Sequence, residues 1–121
     1  MSLKRNVDCY GPAPVVARVR WSPSSSSVQT LTEACGVRSV TRSGAGVYTV
    51  NLTPGFKAVL PLVQIVDDGT TNYHWTEATA TTTSTISVRH RTHAFADVAT
   101  APTASDTVDE ICVTIFGRQA S

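Results

Sequence analysis

The chain has 121 residues, which is enough for one domain with a core of its own. Ten Lys and Arg against nine Asp and Glu give a formal charge of +1, so we expect neither a nucleic-acid nor a membrane partner from electrostatics. About a third of the residues are Val, Ile or Thr, whereas Leu occurs five times, and no window keeps a helical apolar stripe for three turns. This composition predicts an all-β protein.

The three cysteines, Cys9, Cys35 and Cys112, are far apart and form no Cys-x-x-Cys motif. An odd number without a pairing pattern indicates reduced thiols, as in a protein made in a cytoplasm. The N-terminal sequence lacks the apolar segment of a signal peptide, and no apolar run approaches the length of a membrane span. We therefore expect a soluble protein synthesised in a cytoplasm.

Residues 1–14 show no periodicity, and Pro12 and Pro14 favour an extended backbone. The sequence predicts an N-terminal arm that contacts a neighbouring molecule, although a frayed terminus fits the same pattern. The candidate contact residues in the arm are Leu3, Lys4, Arg5, Val7 and Tyr10.

Val15–Trp21 is predicted to be a strand, with Val15, Ala17, Val19 and Trp21 on one face and Arg18 and Arg20 on the other. Val28–Glu33 fits either a short strand, which we favour, or one helical turn.

A β-hairpin is predicted from Val37 to Leu52, with arms Val37–Arg42 and Val47–Leu52. In the second arm Tyr48, Val50 and Leu52 share one face, a period of two that a helix cannot present. Gly44 and Gly46 are expected to supply the positive φ angles that a four-residue loop with a bulge needs.

Ala58–Val66 is apolar on both faces apart from Gln64, which predicts a strand covered on both sides. Pro61 lacks an N–H group, so this strand should lie at a sheet edge or contain a bulge, with its cover coming from another subunit. Asp67-Asp68-Gly69 then closes the strand as a turn. The candidate oligomer contacts in the strand are Val59, Leu60, Leu62 and Val63.

Three more strands are expected in the C-terminal half, at Tyr73–Ala78, Ile86–Arg91 and Glu110–Phe116, with Gly117 ending the last. Residues 93–109 are predicted to be a long loop. The total of seven or eight short strands predicts an antiparallel β-sandwich, a flattened barrel or jelly-roll-like fold, as a single domain over residues 15–121. Its core should include Val19, Trp21, Tyr48, Val50, Val63, Ile65, Val88, Val113 and Ile115.

The sequence contains little that could support catalysis, since no Gly-x-Ser-x-Gly motif orders its Ser, His and Asp residues. His90 and His93 are close in sequence, but Arg89 and Arg91 beside them oppose a cation, so we expect solvated strand-end histidines and no metal or other cofactor. The aromatic residues fit either a sugar-stacking platform or, as we favour, the core. They are Trp21, Tyr48, Tyr73 and Trp75.

The hairpin sequence SVTRSGAGVYTV, residues 39–50, resembles a Ser-Val-Thr-Arg-x-Gly-x-Gly-x-Tyr-Thr-Val segment of small virion proteins and tail-fibre domains of tailed bacteriophages. The resemblance extends more loosely to residue 117, and residues 1–35 do not share it. It implies a structural role in the virion with no catalytic residues, but it does not separate head from tail.

Two functions follow as expectations. The first is a non-enzymatic capsid decoration or head-fibre subunit, a homo-oligomer and by resemblance a trimer, bound to the major capsid protein or another virion protein. The second is a tail-fibre or tail-tip module that recognises a host receptor or glycan. We favour the first, because the chain opens on Met and is expected to be complete, and because it has no coiled-coil or collagen-like repeat to form a fibre shaft.

Overall fold

The structure, a computed structural model, describes residues 14–67, 69, 72–96 and 101–119. These residues form nine β-strands and no helix. In chain order the strands are β1 (Pro14–Trp21), β2 (Leu31–Cys35), β3 (Val37–Gly44), β4 (Val47–Leu52), β5 (Phe56–Val66), β6 (Asn72–Ala80), β7 (Thr85–Ala94), β8 (Thr103–Ala104) and β9 (Glu110–Gln119).

The strands form two antiparallel sheets packed face to face. Sheet 1 has the order β2-β1-β9-β5, and sheet 2 has the order β3-β4-β7-β6, with the short β8 paired to the end of β7. The predicted all-β antiparallel sandwich is therefore confirmed. The chain passes from one sheet to the other four times: between β2 and β3, between β4 and β5, between β5 and β6, and between β8 and β9.

Alternating residues of the strands build the core between the sheets, as the period of two requires. Burying each of these large apolar side chains contributes about 1.5–3 kcal/mol. At the centre, the rings of Trp21 and Tyr48 meet edge to face with centroids 5.4 Å apart. Seven of the nine predicted core residues are fully buried. Val63 and Ile65 are only partly buried, because β5 is an edge strand.

Gly36 makes the passage from β2 to β3 possible. Its φ is +74°, and a Cβ atom there would lie 2.8 Å from the Cβ of Ala17. Both the positive φ and the close approach favour glycine, which lets the chain leave sheet 1 and enter sheet 2 within one residue.

The β3–β4 hairpin confirms the predicted strands and inner face, with Tyr48, Val50 and Leu52 buried. Its loop is tighter than predicted, because β3 continues to Gly44 and only Ala45 and Gly46 lie between the strands. Gly46 has a φ of +68°, whereas Gly44 does not have a positive φ, so the prediction for Gly44 was wrong.

β5 is an edge strand, as Pro61 predicted, and the register with β9 runs through Pro61 without a bulge. A proline is tolerated at an edge because an edge strand has a partner on one side only. Along β5, Val59, Val63 and Ile65 pack against the core, while Leu60 and Leu62 are exposed.

Several predicted boundaries were wrong. β2 begins at Leu31, and Val28 makes only an isolated bridge to Thr41. β9 continues through Gly117, because that residue still pairs with both Val15 and Val59. The predicted loop of residues 93–109 contains the end of β7 and all of β8.

Candidate functional site

The outer surface of sheet 1 carries a row of apolar side chains. Val16, Phe116 and Leu60 are direct cross-strand neighbours on β1, β9 and β5, and they are 56%, 46% and 67% exposed. Leu62, the next outward residue of β5, is 55% exposed. We refer to these four residues as the apolar face. Contiguous apolar surface of this kind marks an interaction site more often than a free surface.

The other end of the same surface is closed by ion pairs. Arg18 Nε lies 3.0 Å from Glu33 Oε1, and Arg20 Nε donates to Glu110 Oε1 at 2.8 Å. Arg18 and Arg20 are thus paired along their own sheet, whereas the exposed Arg118, the next outward residue of β9 after Phe116, borders the apolar face on its other side.

The predicted oligomer strand is divided between two sides. Leu60 and Leu62 belong to the apolar face, whereas Val59 and Val63 point into the sandwich and are partly buried there. Only the first pair is presented to a second molecule, and Phe116 and Val16 on neighbouring strands complete the surface. The alternation in β9 and β1 places these two residues opposite the core positions. That they are neighbours of β5 follows only from the strand order, which local sequence patterns do not contain.

Four rings pack together on the outer surface of sheet 2, and we refer to them as the aromatic cluster. They are Tyr73, Trp75, His93 and Phe95. Tyr73 meets Phe95 edge to face at a centroid distance of 4.3 Å, and Trp75 lies 4.7 Å from His93. Tyr73 and Trp75 are 47% and 45% exposed.

The aromatic residues that were predicted as core thus divide into two groups. Trp21 and Tyr48 are completely buried, but Tyr73 and Trp75 lie on the outer surface, so the core prediction was wrong for them. The reason is that β6 turns His74, Thr76, Ala78 and Ala80 inward. The alternation alone placed the two rings on one face without indicating which face is covered.

Beneath sheet 2, a chain of hydrogen bonds links Asp67, His74, His90 and the backbone of Ser105. His74 Nε2 lies 2.5 Å from Asp67 Oδ2, and His74 Nδ1 lies 3.0 Å from His90 Nε2. His90 Nδ1 lies 2.7 Å from the carbonyl oxygen of Ser105. His90 is completely buried, so the expectation of solvated strand-end histidines was wrong for this residue.

The carbonyl of Ser105 can only accept, so a neutral His90 carries its proton on Nδ1 and accepts at Nε2. The carboxylate of Asp67 can also only accept, so His74 completes the chain by donating from both ring nitrogens, Nε2–H to Asp67 and Nδ1–H to His90. Burial, together with the neighbouring His74, lowers the pKa of His90, although the Ser105 carbonyl acts in the opposite direction. We refer to this chain as the histidine network.

A second polar cluster is centred on Asp106. Its carboxylate accepts hydrogen bonds from Arg42 Nε at 3.0 Å, from the backbone N–H of Gly46 at 2.9 Å, and from the hydroxyl of Tyr48. Burial opposes the charge on Asp106, but these three donors outweigh it and lower the pKa of the carboxyl. Burial and the bond to Asp106 raise the pKa of Tyr48. We refer to this group as the Asp106 cluster.

Local sequence patterns contain little that indicates these two clusters. Asp67 was predicted only as a turn residue, and Asp106 fell within a predicted loop, 64 positions from Arg42. An aspartate in a hydrophilic loop between two apolar strands is usually solvated. Its pairing with a distant side chain can therefore be recognised only when the strand order is known.

The predicted arm contacts Leu3, Lys4, Arg5, Val7 and Tyr10 lie outside the described residues. Cys35, exposed, and Cys112, buried, are free thiols, and Cys9 is also outside the described residues. Across residues 14–67, 69, 72–96 and 101–119, no group of three or more His, Cys, Asp or Glu is placed to hold a metal ion. The same residues include no helix that could cross a membrane.

No protein-family model, curated protein or solved structure matches this chain.

Proposed function

We propose that this protein is a non-enzymatic structural subunit of a tailed-bacteriophage virion, a capsid decoration or head-fibre protein that assembles as a homotrimer through the apolar face. It is made in the host cytoplasm and needs no cofactor. The observation that carries the proposal is the row formed by Val16, Phe116 and Leu60. These side chains are about half exposed or more, and removing their apolar area from water is favourable by about 25 cal/mol per Å².

A second copy of the chain is the occupant that this surface fits best. The four residues of the apolar face carry no charge, so three copies can pack these side chains together while the neighbouring Arg118 stays at the solvated rim. The ion pairs Arg18–Glu33 and Arg20–Glu110 border it on the same sheet and provide a polar rim. The virion location and the threefold symmetry rest on the resemblance of residues 39–50 to phage structural proteins.

The test is the mass of the assembly at micromolar concentration, measured by light scattering. The wild-type chain should give three times its monomer mass of 12.9 kDa. The double variant Leu60→Glu, Leu62→Glu places charges on the apolar face and should be monomeric with an unchanged β circular dichroism spectrum. Val28→Glu is the matched control, because Val28 is 60% exposed but lies outside that face, and this variant should remain trimeric. A monomeric wild type, or a double variant that stays assembled, would contradict the proposal.

Attachment to the capsid is a separate part of the proposal and remains a prediction from the sequence. Leu3, Val7 and Tyr10 would fill apolar pockets on the shell, with Lys4 and Arg5 contributing charge. Deleting residues 2–12 should leave the trimer intact and weaken its binding to empty shells. Equal binding by the truncated and full-length proteins would exclude the arm as an attachment segment.

A further inference from the structure

A small pocket lies beside the aromatic cluster on the outer surface of sheet 2. Its volume is about 140 Å³. Ligand pockets for drug-sized molecules measure roughly 300–1,000 Å³, so this pocket is suited to one small ring rather than to a large cofactor. Its lining residues are Trp75, Thr76, Glu77, Arg89 and Arg91.

Four of the lining residues form two cross-strand pairs, and each pair contains one arginine. Arg91 on β7 lies directly across from Trp75 on β6, and Arg89 lies across from Glu77. Within the part of the chain that the structure describes, neither arginine has a carboxylate within ion-pair distance. Two guanidinium groups and one carboxylate therefore leave one positive charge at the pocket without a partner among those residues.

The aromatic cluster fixes the orientation of Trp75. The indole packs at 44° against the His93 ring, which is itself in edge contact with Tyr73, and Tyr73 packs against Phe95. A ring held in this way loses little conformational freedom when a ligand binds, and this reduces the entropic cost of binding. Since Trp75 is still 45% exposed, part of its surface is available for contact.

From this geometry we propose that the pocket binds a carboxylated sugar residue of an acidic glycan. The C–H face of the sugar ring packs on Trp75, because the π face of indole carries partial negative charge. The sugar carboxylate accepts hydrogen bonds from Arg91 and Arg89, whose planar groups match its geometry. A sugar hydroxyl donates to Glu77.

The residue types distinguish this ligand from the alternatives. A neutral sugar would leave both arginines unused, and a phosphate-rich polymer would bring repeated negative charge to Glu77. A second copy of the chain has a larger uncharged surface available on sheet 1. The inference is independent of the proposed trimer, since the apolar face and the pocket lie on different sheets, and both a decoration protein and a tail-fibre tip can carry such a site.

The experiment is a titration with trigalacturonic acid, with maltotriose as the neutral probe of equal length, followed by tryptophan fluorescence and calorimetry. Trp21 is completely buried, so a fluorescence change on binding reports on Trp75. Trigalacturonic acid should bind saturably, and maltotriose at least about tenfold more weakly, because a hydrogen bond to a charged group is worth roughly a factor of ten or more.

Arg91→Gln should weaken trigalacturonic acid binding by about tenfold, and Trp75→Ala should do the same. Arg38→Gln is the matched control, because Arg38 is an exposed arginine of β3 and its loss changes the net charge equally; this variant should bind as the wild type does. The Leu60→Glu, Leu62→Glu variant should also keep its affinity, so failure of the trimer proposal would not affect this result.

Three results would overturn the inference. The first is no saturable binding of trigalacturonic acid by a folded protein. The second is equal inhibition by inorganic phosphate at the same concentration, which would indicate an unselective anion site. The third is a change of oligomer mass in Trp75→Ala, which would show that this surface joins copies of the chain.

Discussion

Two carboxylates, Asp67 and Asp106, each fix a connecting segment against sheet 2, but they do so with different partners. Asp106 binds an arginine, a phenol and a backbone amide. Asp67 binds a histidine, which continues to a second, buried histidine. The first arrangement keeps its charges throughout the neutral range, because an arginine does not lose its proton there. The second contains the buried His90, whose pKa is lowered by burial, so the unfolded chain takes up a proton there more readily than the folded protein does. The stability of the second attachment should therefore fall in mild acid, whereas the charges of the first persist there.

The two clusters meet at Gly46. Its N–H donates to Asp106, and its carbonyl accepts from the backbone N–H of His90 at 2.8 Å. Ser105, whose carbonyl accepts from the His90 ring, also donates its backbone N–H to the His90 carbonyl oxygen at 3.1 Å. Any change in the backbone at Gly46 should therefore disturb both the Asp106 cluster and the histidine network.

The largest effect is expected for Gly46→Ala. This substitution should break the Asp106 cluster and the histidine network together, so the two attachments could no longer be told apart. Its φ is +68°, and the new Cβ would lie 2.2 Å from the carbonyl oxygen of His90. We expect a loss of about 3 kcal/mol or more in the free energy of unfolding, measured in urea. Gly44→Ala in the same hairpin is the control, because no atom lies within 4 Å of its Cβ position and its φ is not positive. Equal losses in the two variants would contradict this explanation.

Asp106→Ala should break the first cluster alone. It leaves the Tyr48 hydroxyl and the Gly46 N–H without their acceptor, and the expected loss is about 2–4 kcal/mol. Glu33→Ala removes a carboxylate from the exposed pair with Arg18 and should cost no more than about 0.5 kcal/mol. A small effect of Asp106→Ala in thermal or urea unfolding would mean that water replaces the carboxylate.

The pH dependence of stability should separate the two clusters. The pKa of His90 is lowered in the folded protein, so below about pH 6.5 the unfolded chain binds the proton more readily and the free energy of unfolding falls. The pKa of Asp106 is also lowered, so its contribution is present above about pH 4 and is lost as the pH falls through its folded value. The slope below pH 6.5 should not exceed about 1.4 kcal/mol per pH unit for one group.

His90→Asn keeps a side-chain donor near Ser105 but removes the titrating ring. Urea unfolding between pH 7 and 5 should show a flatter slope in this variant than in the wild type. Asp106→Ala should keep the slope in that range and lose the dependence below pH 4. If both variants lose the same part of the profile, the two clusters are not independent.

The smallest effect is expected for Tyr48→Phe, which removes one donor from Asp106 and keeps the ring packed against Trp21. The expected loss is about 1 kcal/mol, the net value of one hydrogen bond. Urea unfolding beside Asp106→Ala would show whether the phenol or the other donors provide most of the stability of the cluster.

Local patterns in the sequence were sufficient for the sandwich and for most of its core. Over Ala17–Trp21, Tyr48–Leu52 and Ile86–Arg89 the apolar residues alternate with polar ones, and backbone pleating turns that alternation directly into an inner and an outer face. The hairpin at residues 37–52 was predictable for a similar reason, since its two strands are neighbours in sequence. Pro61 predicted the edge position of β5 because its missing N–H group is a property of that single residue.

The candidate surfaces depend on strand order, which local patterns do not contain. The apolar face combines β1, β5 and β9, and the pocket needs the register that sets Arg91 against Trp75. Asp106 meets Arg42 only because β8 and the residues after it return to the turn between β3 and β4. When two residues are this far apart in the chain, a single sequence shows the chemistry of each residue but does not show that the two are in contact.

The position of Pro61 has a consequence for aggregation. β5 is an eleven-residue, largely apolar strand with one free edge, and such an edge can template the addition of another strand from a misfolded or neighbouring chain. Pro61 lies at its midpoint and has no N–H group to offer, so an incoming strand cannot form an uninterrupted ladder along the whole edge. The proline therefore acts as a gatekeeper against amyloid-like growth. It allows the chain to keep a largely apolar strand at the edge of a sheet.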